Sequence, residues 1–309
     1  MTLILGVDAG GSRTTAAVAE AGGAILARGE SGPGAVRPGA AAQAAGAIHA
    51  ACRDALQRAR REAPADVLVV GASGAGREAE RGELAHALMS HGLARRIEVT
   101  TDAEIALLAA FGDGPGIVLI AGTGSVAWAR LPDRTTARAG GLGPVLGDWG
   151  SAYDVAREAL RAAARAVDDG RAHALLDRFL QHLGIAVDQL PRWSLGAGVP
   201  ELVMLAPVVV EAARAGDETA RRILERAAAD LAATVTPLLH RFPTGTAVTL
   251  AWGGGLLAGA PDYRAAVLGK IIAMRPAIAV LEGPVDAVAG AVDLAARRLG
   301  GSAARRPGG

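Results

Sequence analysis

The chain has 309 residues, 51% of them hydrophobic, 20% charged and only 3% aromatic, with a formal net charge of +1. At roughly 150 residues per domain, that length suggests about two domains, and so balanced a charge excludes a partner such as nucleic acid or an anionic membrane held by bulk electrostatics. A single cysteine, Cys52, excludes disulfide frameworks, Cys-based zinc sites and protein-ligated iron–sulfur clusters within the chain.

Lys270 is the one lysine and asparagine is absent. Both have A/T-rich codons, so nucleotide bias explains their scarcity better than function does. The mean hydropathy of +0.28 comes from Ala, Leu and Val spread along the chain. No run of 18 apolar residues lacks charges, so no transmembrane helix is expected. The N-terminal run has no basic segment before it and soon meets Asp8, unlike a signal peptide. A cytoplasmic protein is the expectation.

In chain order, Leu3 to Val7 reads as a strand ending in Asp8-Ala9-Gly10-Gly11-Ser12. Thr14 to Ala19 is a second strand, Ala21-Gly22-Gly23 a turn and Ala24 to Glu30 a third strand. Helical periodicity follows over Ala40 to Glu62, then a strand at Asp66 to Ala72, a helix at Glu78 to His91 and a strand at Ile97 to Thr101. A helix is predicted over Ala103 to Phe111. Residues 116 to 141 repeat the opening plan. Gly116 to Ala121 is a strand, Gly122-Thr123-Gly124-Ser125 a turn, Val126 to Leu131 a strand and Thr135 to Ala139 a third. Two such meanders suggest an internal duplication. Helices are predicted at Ser151 to Val167, Arg171 to Gly184, Glu201 to Ala215 and Asp217 to Arg241. A strand at Thr246 to Ala251 runs into Trp252-Gly253-Gly254-Gly255. Tyr263 to Met274 is a helix, Ala277 to Leu281 a strand and Pro284 to Leu299 a closing helix, with a disordered tail over Gly300 to Gly309. The mixture argues for an α/β fold in which antiparallel meanders are extended by parallel strands.

Each meander turn follows a buried-type strand and is built from Gly, Ser and Thr. Such turns point backbone N–H groups and hydroxyls outward, which suits phosphate oxygens. One glycine turn is unremarkable among 42 glycines; two at matching places, one preceded by Asp8, point to phosphate. Competing motifs are missing: Lys270 is followed by Ile271, so there is no Walker A sequence, and no strand–GxGxxG–helix unit appears. The charge would then be met by backbone amides and a cation, with Asp8 a carboxylate for Mg²⁺ or else the start of an Asx turn. Asp102 stands at the end of a strand, where a carboxylate can accept a hydroxyl proton, or cap the helix that follows. Position alone leaves both open.

At these residues the chain resembles a known family. Asp8-Ala9-Gly10-Gly11-Ser12-Arg13-Thr14 is similar to the first phosphate motif of the actin-like ATPase and sugar-kinase superfamily, Gly122-Thr123-Gly124-Ser125 to its second, and Gly253-Gly254-Gly255 to its adenosine motif. Thr101-Asp102-Ala103, Gly141-Leu142-Gly143-Pro144 and Gly147-Asp148 resemble the N-acetylglucosamine kinase branch, which includes BadF/BadG-type ATPase-domain proteins. The resemblance covers nearly all of residues 1 to 299.

It implies a two-domain actin-like (ribonuclease H-like) fold, each domain a mixed sheet with a three-strand meander and flanking helices, with the active site in the interdomain cleft. The domains would be 1–115 and 116–283, with the closing helix 284–299 a candidate to join the first. It implies ATP held by Gly10, Gly11, Ser12, Thr14, Gly122, Thr123, Gly124 and Ser125, with adenosine near Gly216, Gly253, Gly254 and Gly255. Asp102 would be the general base and Asp8 the Mg²⁺ carboxylate. The sugar would be held by Ser73, Gly141, Leu142, Gly143 and Asp148. A homodimer is implied by the same resemblance. The expected reaction is phosphoryl transfer from MgATP to the 6-hydroxyl of N-acetylglucosamine or a related hexosamine; a glucosamine kinase or a non-kinase nucleotide-binding regulator are the alternatives. Iron–sulfur activators of the same family need ligands that Cys52 alone cannot supply.

Three positions depart from the pattern. Leu142 stands where Trp is common, Trp149 replaces the usual Glu, and Gly34 lies where an Asn commonly contacts the sugar. Gly71-Ala72-Ser73-Gly74 resembles a nucleophile elbow, but Ala75 takes the place of its last glycine and no histidine stands in hydrolase order. Ser73 is therefore expected to line the sugar site or form a turn. The Arg60-Arg61 and Arg95-Arg96 pairs lack aromatic neighbours and read as solvated faces, so no nucleic acid is expected.

Overall fold

The computed structural model describes residues 2–170 and 173–303. The chain divides into two compact units, one formed by residues up to Gly114 together with those from Val285 onward, the other by Pro115–Pro284.

In the first unit, β1 (Leu3–Ala9), β2 (Thr14–Glu20) and β3 (Ile25–Ser31) form an antiparallel meander. β4 (Ala65–Ala72) and β5 (Ala94–Thr101) extend it in parallel, giving the order β3-β2-β1-β4-β5. Side chains on a strand alternate between faces, and β1 shows it. Leu3, Leu5 and Val7 pack with Ile48 and Cys52 of α1 (Ala41–Ala59) and with Leu84 and Leu88 of α2 (Glu78–Met89). Ile4 points the other way, to Ile105 of α3 (Asp102–Phe111) and Val292 of α12 (Ala287–Ala303). Cys52 is fully buried, and burial pushes its thiol up to about 12, so it is an inert packing residue.

The second unit repeats the plan. β6 (Gly116–Ala121), β7 (Ser125–Arg130) and β8 (Thr136–Gly140) form the meander, and β9 (Val248–Gly253) and β10 (Ile278–Pro284) extend it in parallel in the order β10-β9-β6-β7-β8. The duplication thus extends from the meander to all five strands. Between β8 and β9 the chain inserts α4 (Ala152–Asp168), α5 (Ala174–Leu183), α6 (Leu190–Gly196), α7 (Val199–Val203), α8 (Ala206–Arg214) and α9 (Glu218–Leu239). α10 (Gly255–Gly259) and α11 (Pro261–Met274) join β9 to β10.

Several predicted boundaries shift for physical reasons. The helix expected over Glu201 to Ala215 is two helices, because Pro207 in the first turn of α8 lacks an N–H and cannot continue a preceding helix. Pro284 ends β10 rather than opening the last helix, whose first turn is held by the Asp286 carboxylate accepting the Ala289 N–H at 3.3 Å. α12 runs through Ala303, so residues 300–303 are helical rather than a disordered tail; 304–309 lie outside the described residues. α5 begins at Ala174, and 171–172 of the helix expected from Arg171 also lie outside them. α6 was not anticipated. No helix of the described residues is long and apolar enough to cross a membrane.

Candidate active site

In the first unit, three neighbouring parallel strands end together. Asp8 pairs with Gly71, and Ala72 pairs with Thr101. The carboxyl ends of β1, β4 and β5 therefore present Asp8, Ser73 and Asp102 at one edge of the sheet, the usual position for ligand-binding loops in open α/β sheets.

Asp102 is not the cap of α3. Thr101 is the N-cap, its hydroxyl accepting the Glu104 N–H at 3.2 Å. Asp102 instead accepts the Ala103 N–H at 2.9 Å and a hydrogen bond from the Ser73 hydroxyl. Burial raises its pKa, and those two donors partly offset the shift. Ser73 is tied down by its main chain, its N–H donating to Ala9 O at 3.0 Å and its carbonyl accepting the Val36 N–H at 2.9 Å. A serine hydroxyl donating to a carboxylate lacks the histidine base a hydrolase requires. Ser73 orients Asp102.

Asp8 is pushed up to about 7, first by burial and then by the negative charges of Asp102 and Asp286, with Arg13 opposing. Asp286 is held on the other side by the Arg28 guanidinium, whose Nη1 donates at 2.9 Å and which lowers the Asp286 pKa. Ionised Asp8 thus lacks a full counter-cation. Among the described residues no group of three or more His, Cys, Asp or Glu side chains is arranged to hold a metal. One carboxylate without a protein cage fits Mg²⁺ arriving with a nucleotide, which keeps waters and phosphate oxygens as its remaining ligands.

The turn after β1 divides its residues between construction and exposure. The Gly10 N–H donates to Arg13 O at 2.9 Å, and the Gly10 carbonyl accepts from Gly34 and Ala35 at 3.0 Å each. Thr14 is fully buried and its hydroxyl donates to Gly32 O at 2.9 Å. Gly10 and Thr14 therefore build the turn, while Gly11 and Ser12 form its exposed tip. A Cβ on Gly34 would lie 2.3 Å from the Thr14 hydroxyl. The missing asparagine at position 34 is thus also a packing requirement.

In the second unit, the turn after β6 meets the glycines after β9. A Cβ on Gly122 would lie 3.3 Å from Gly255 N, and one on Gly254 would lie 2.4 Å from Ala121 O. Backbone packs on backbone here, leaving Gly122, Thr123 and Gly124 part-exposed. Ser125 is buried, its hydroxyl donating to Trp149 O at 2.8 Å and its N–H to Asp148 Oδ1 at 3.1 Å. Asp148 is itself buried, in the left-handed region at φ 59°, and burial raises its pKa. It does not cap α4; Ser151 does, accepting the Asp154 N–H at 3.2 Å. Gly141 donates to Ser125 O at 3.0 Å, so the 141–148 loop sits beside the turn. Gly216 follows α8 at φ 97°, and the described hydrogen bonds do not join it to Gly253, Gly254 or Gly255.

Sequence reasoning missed Asp286, which adds to the negative field at Asp8, its partner Arg28, and Thr101, the actual cap. The Asp286-x-x-Ala289 spacing is a readable cap signal; that it faces Asp8 emerges only on folding.

Known proteins share this architecture. An N-acetylmuramic acid/N-acetylglucosamine kinase of Clostridium acetobutylicum is 28% identical over 245 residues, spanning 78% of this chain and 80% of that protein. A glucosamine kinase of Vibrio cholerae is 28% identical over 244 residues, spanning 78% and 82%. The solved structure of a Chromobacterium violaceum protein assigned as an N-acetylglucosamine kinase superposes with a TM-score of 0.79 at 29% identity, over 95% of this chain and 99% of that one. The fold is that of the actin-like ATPases and sugar kinases. Residues 5–295 match the BadF/BadG/BcrA/BcrD ATPase family, and the chain, an ATP-using enzyme, belongs to it.

Proposed function

We propose that the chain is an ATP-dependent hexosamine kinase that transfers the γ-phosphoryl group of MgATP to the 6-hydroxyl of an N-acetylated hexosamine, N-acetylglucosamine being the reference substrate. The observation that carries this reading is Asp102: a half-buried carboxylate at a strand's end, relieved of capping by Thr101, oriented by Ser73 and raised in pKa. Such a group accepts the sugar hydroxyl's proton as its oxygen attacks phosphorus.

The remaining roles follow from what each unit exposes. The Gly11–Ser12 tip and the Gly122–Thr123–Gly124 tip present backbone to phosphate oxygens. Asp8 is the carboxylate that would hold Mg²⁺, which would supply positive charge to the transferring phosphoryl group. Gly254 and Gly255 lie against the second turn and take the adenosine side. Phosphoryl transfer asks for positioning and charge neutralisation more than for covalent chemistry.

An N-acetyl substrate is favoured over a free amine by the 141–150 loop. Its one carboxylate, Asp148, is buried against the Ser125 N–H, whereas Leu142, Val145, Leu146 and Trp149 are exposed. A protonated amine finds no free anion there; an acyl methyl finds apolar surface.

Product analysis tests the assignment. N-acetylglucosamine is expected to yield its 6-phosphate stoichiometrically with ADP, and the 6-deoxy analogue to compete without turnover. A phosphate on another oxygen, or ADP formed without any phosphosugar, would refute it.

A further inference from the structure

The 141–150 loop is unusual for a segment that must grip a ligand. It has no regular secondary structure, and four of its ten residues are exposed large apolar side chains with no core beneath them. Order in such a segment has to come from its ends and from whatever holds its backbone. The first end is held by β7 through the Gly141 N–H.

The other end is held by side chains. Gly150 is in the left-handed region at φ 68°, and a Cβ there would lie 2.4 Å from Ala227 O and 2.9 Å from the Tyr263 hydroxyl. Tyr263 donates its hydroxyl hydrogen to Gly150 O at 2.7 Å, and Asp154 Oδ2 accepts the Gly150 N–H at 2.9 Å; both bonds are buried. Both main-chain groups of one residue are therefore satisfied by buried side chains from α11 and α4. Arg157 braces the arrangement, donating to Asp154 Oδ1 at 2.6 Å and reaching Pro144 O, inside the loop, at 3.5 Å.

Asp154 and Tyr263 are separated by more than a hundred positions, and neither touches Asp102 or the phosphate turns by a described hydrogen bond. Burial holds the phenol far above its ordinary range, so it remains a donor throughout the physiological range. A buried donor and acceptor spent on one loop residue is more than the fold requires of a chain reversal, since a plain glycine turn would suffice.

We propose that Tyr263 is a positioning residue for the phosphoryl acceptor: with Asp154 it fixes Gly150 and thereby sets the geometry of the loop that holds the sugar. This rests on the reading of residues 141–148 as the sugar loop. Tyr263 touches no substrate and acts through Gly150 alone.

The test is Tyr263→Phe in the full chain, which keeps the ring beside its roughly 660 Å³ neighbouring cavity between α8, α9 and α11 and deletes only the hydroxyl. Loss of that hydrogen bond is expected to raise the sugar KM about tenfold, with kcat and the ATP KM within about twofold and the thermal midpoint within a few degrees. Leu142→Ala, measured in parallel, reports on the loop itself and is expected to raise the sugar KM alone. If Leu142→Ala shifts the sugar KM and Tyr263→Phe does not, the clamp is overturned and the sugar-loop reading stands. If Tyr263→Phe raises the sugar and ATP KM values together, its role is general to the fold and the proposal is likewise overturned. If neither variant moves the sugar KM, the sugar-loop reading fails and takes this proposal with it.

Discussion

Asp8 and Asp102 stand at the carboxyl ends of β1 and β5, and the Asp102 charge adds to the burial that makes ionising Asp8 costly. Asp8, raised to about 7 mainly by burial, is ionised only above neutrality, and the Mg²⁺ role requires the ionised form. kcat/KM for MgATP is therefore expected to fall as pH drops below about 7, approaching tenfold per unit; a profile flat down to pH 5.5 would remove Asp8 from the metal role. The same shift makes a stability prediction of opposite sense. A carboxyl whose folded pKa exceeds its unfolded value of 3.8 binds protons more tightly when folded, so the nucleotide-free protein loses stability as pH rises from about 4 to 7. Asp8→Asn removes that cost, and thermal melts at pH 8 should show a midpoint higher by about 3 °C or more, with activity lost. The residues were visible as types in the sequence, but position alone left an Asx turn open for Asp8 and a helix cap for Asp102; the folded strand end removes the second by giving the cap to Thr101. What was invisible was the division of labour: Gly10 and Thr14 lie in the phosphate motif yet spend their polar groups on Arg13 and Gly32, and only the closed turn reveals it.

The elements that present these residues depend on close backbone approach. α12 crosses α3 so tightly that a Cβ on Gly290 would lie 2.0 Å from the carbonyl oxygen of Ile105 and 3.0 Å from the Ala109 side chain. Gly290→Val forces the helices apart beneath Asp102, with an expected loss of about 1–3 kcal/mol in urea unfolding. Gly46 in α1 has open space where its Cβ would stand. Gly46→Ala should therefore stabilise the protein by about 0.5–1 kcal/mol, since alanine restricts the unfolded chain and favours helix. The same variant losing stability would show that α1 is packed more tightly than its exposure indicates. Elements with strong local signals were legible: the two meanders, α1 and α11 came within a few residues of their predicted bounds. The α7–α8 break was hidden because the apolar run from Glu201 to Ala215 reads as one helix, and α6 because its short, proline-led segment was read as no helix at all.

At the scale of the whole molecule, one five-stranded plan is used twice, and each copy supplies different chemistry. Both carry a glycine turn after their first strand; the first adds Asp8 and Asp102, and the second adds the 141–150 loop. Duplication was readable from the meanders because their glycine turns recur after similar apolar strands. That α12 belongs with the first unit was offered only through the resemblance, since in the chain it follows the strands of the second. The absence of lysine outside Lys270, a product of composition, excluded a Walker A lysine and pointed to backbone turns as the proposed phosphate-binding device. The proposed function rests on Asp102 as the base of a phosphoryl transfer. The most direct test is sugar-dependent ADP release by the wild type and Asp102→Asn across N-acetylglucosamine, glucosamine and glucose. Stimulation strongest with the N-acetylated sugar, reduced about a hundred- to ten-thousand-fold by the substitution with ATP affinity unchanged, is the predicted result. ADP release that ignores every sugar and persists in Asp102→Asn would contradict it.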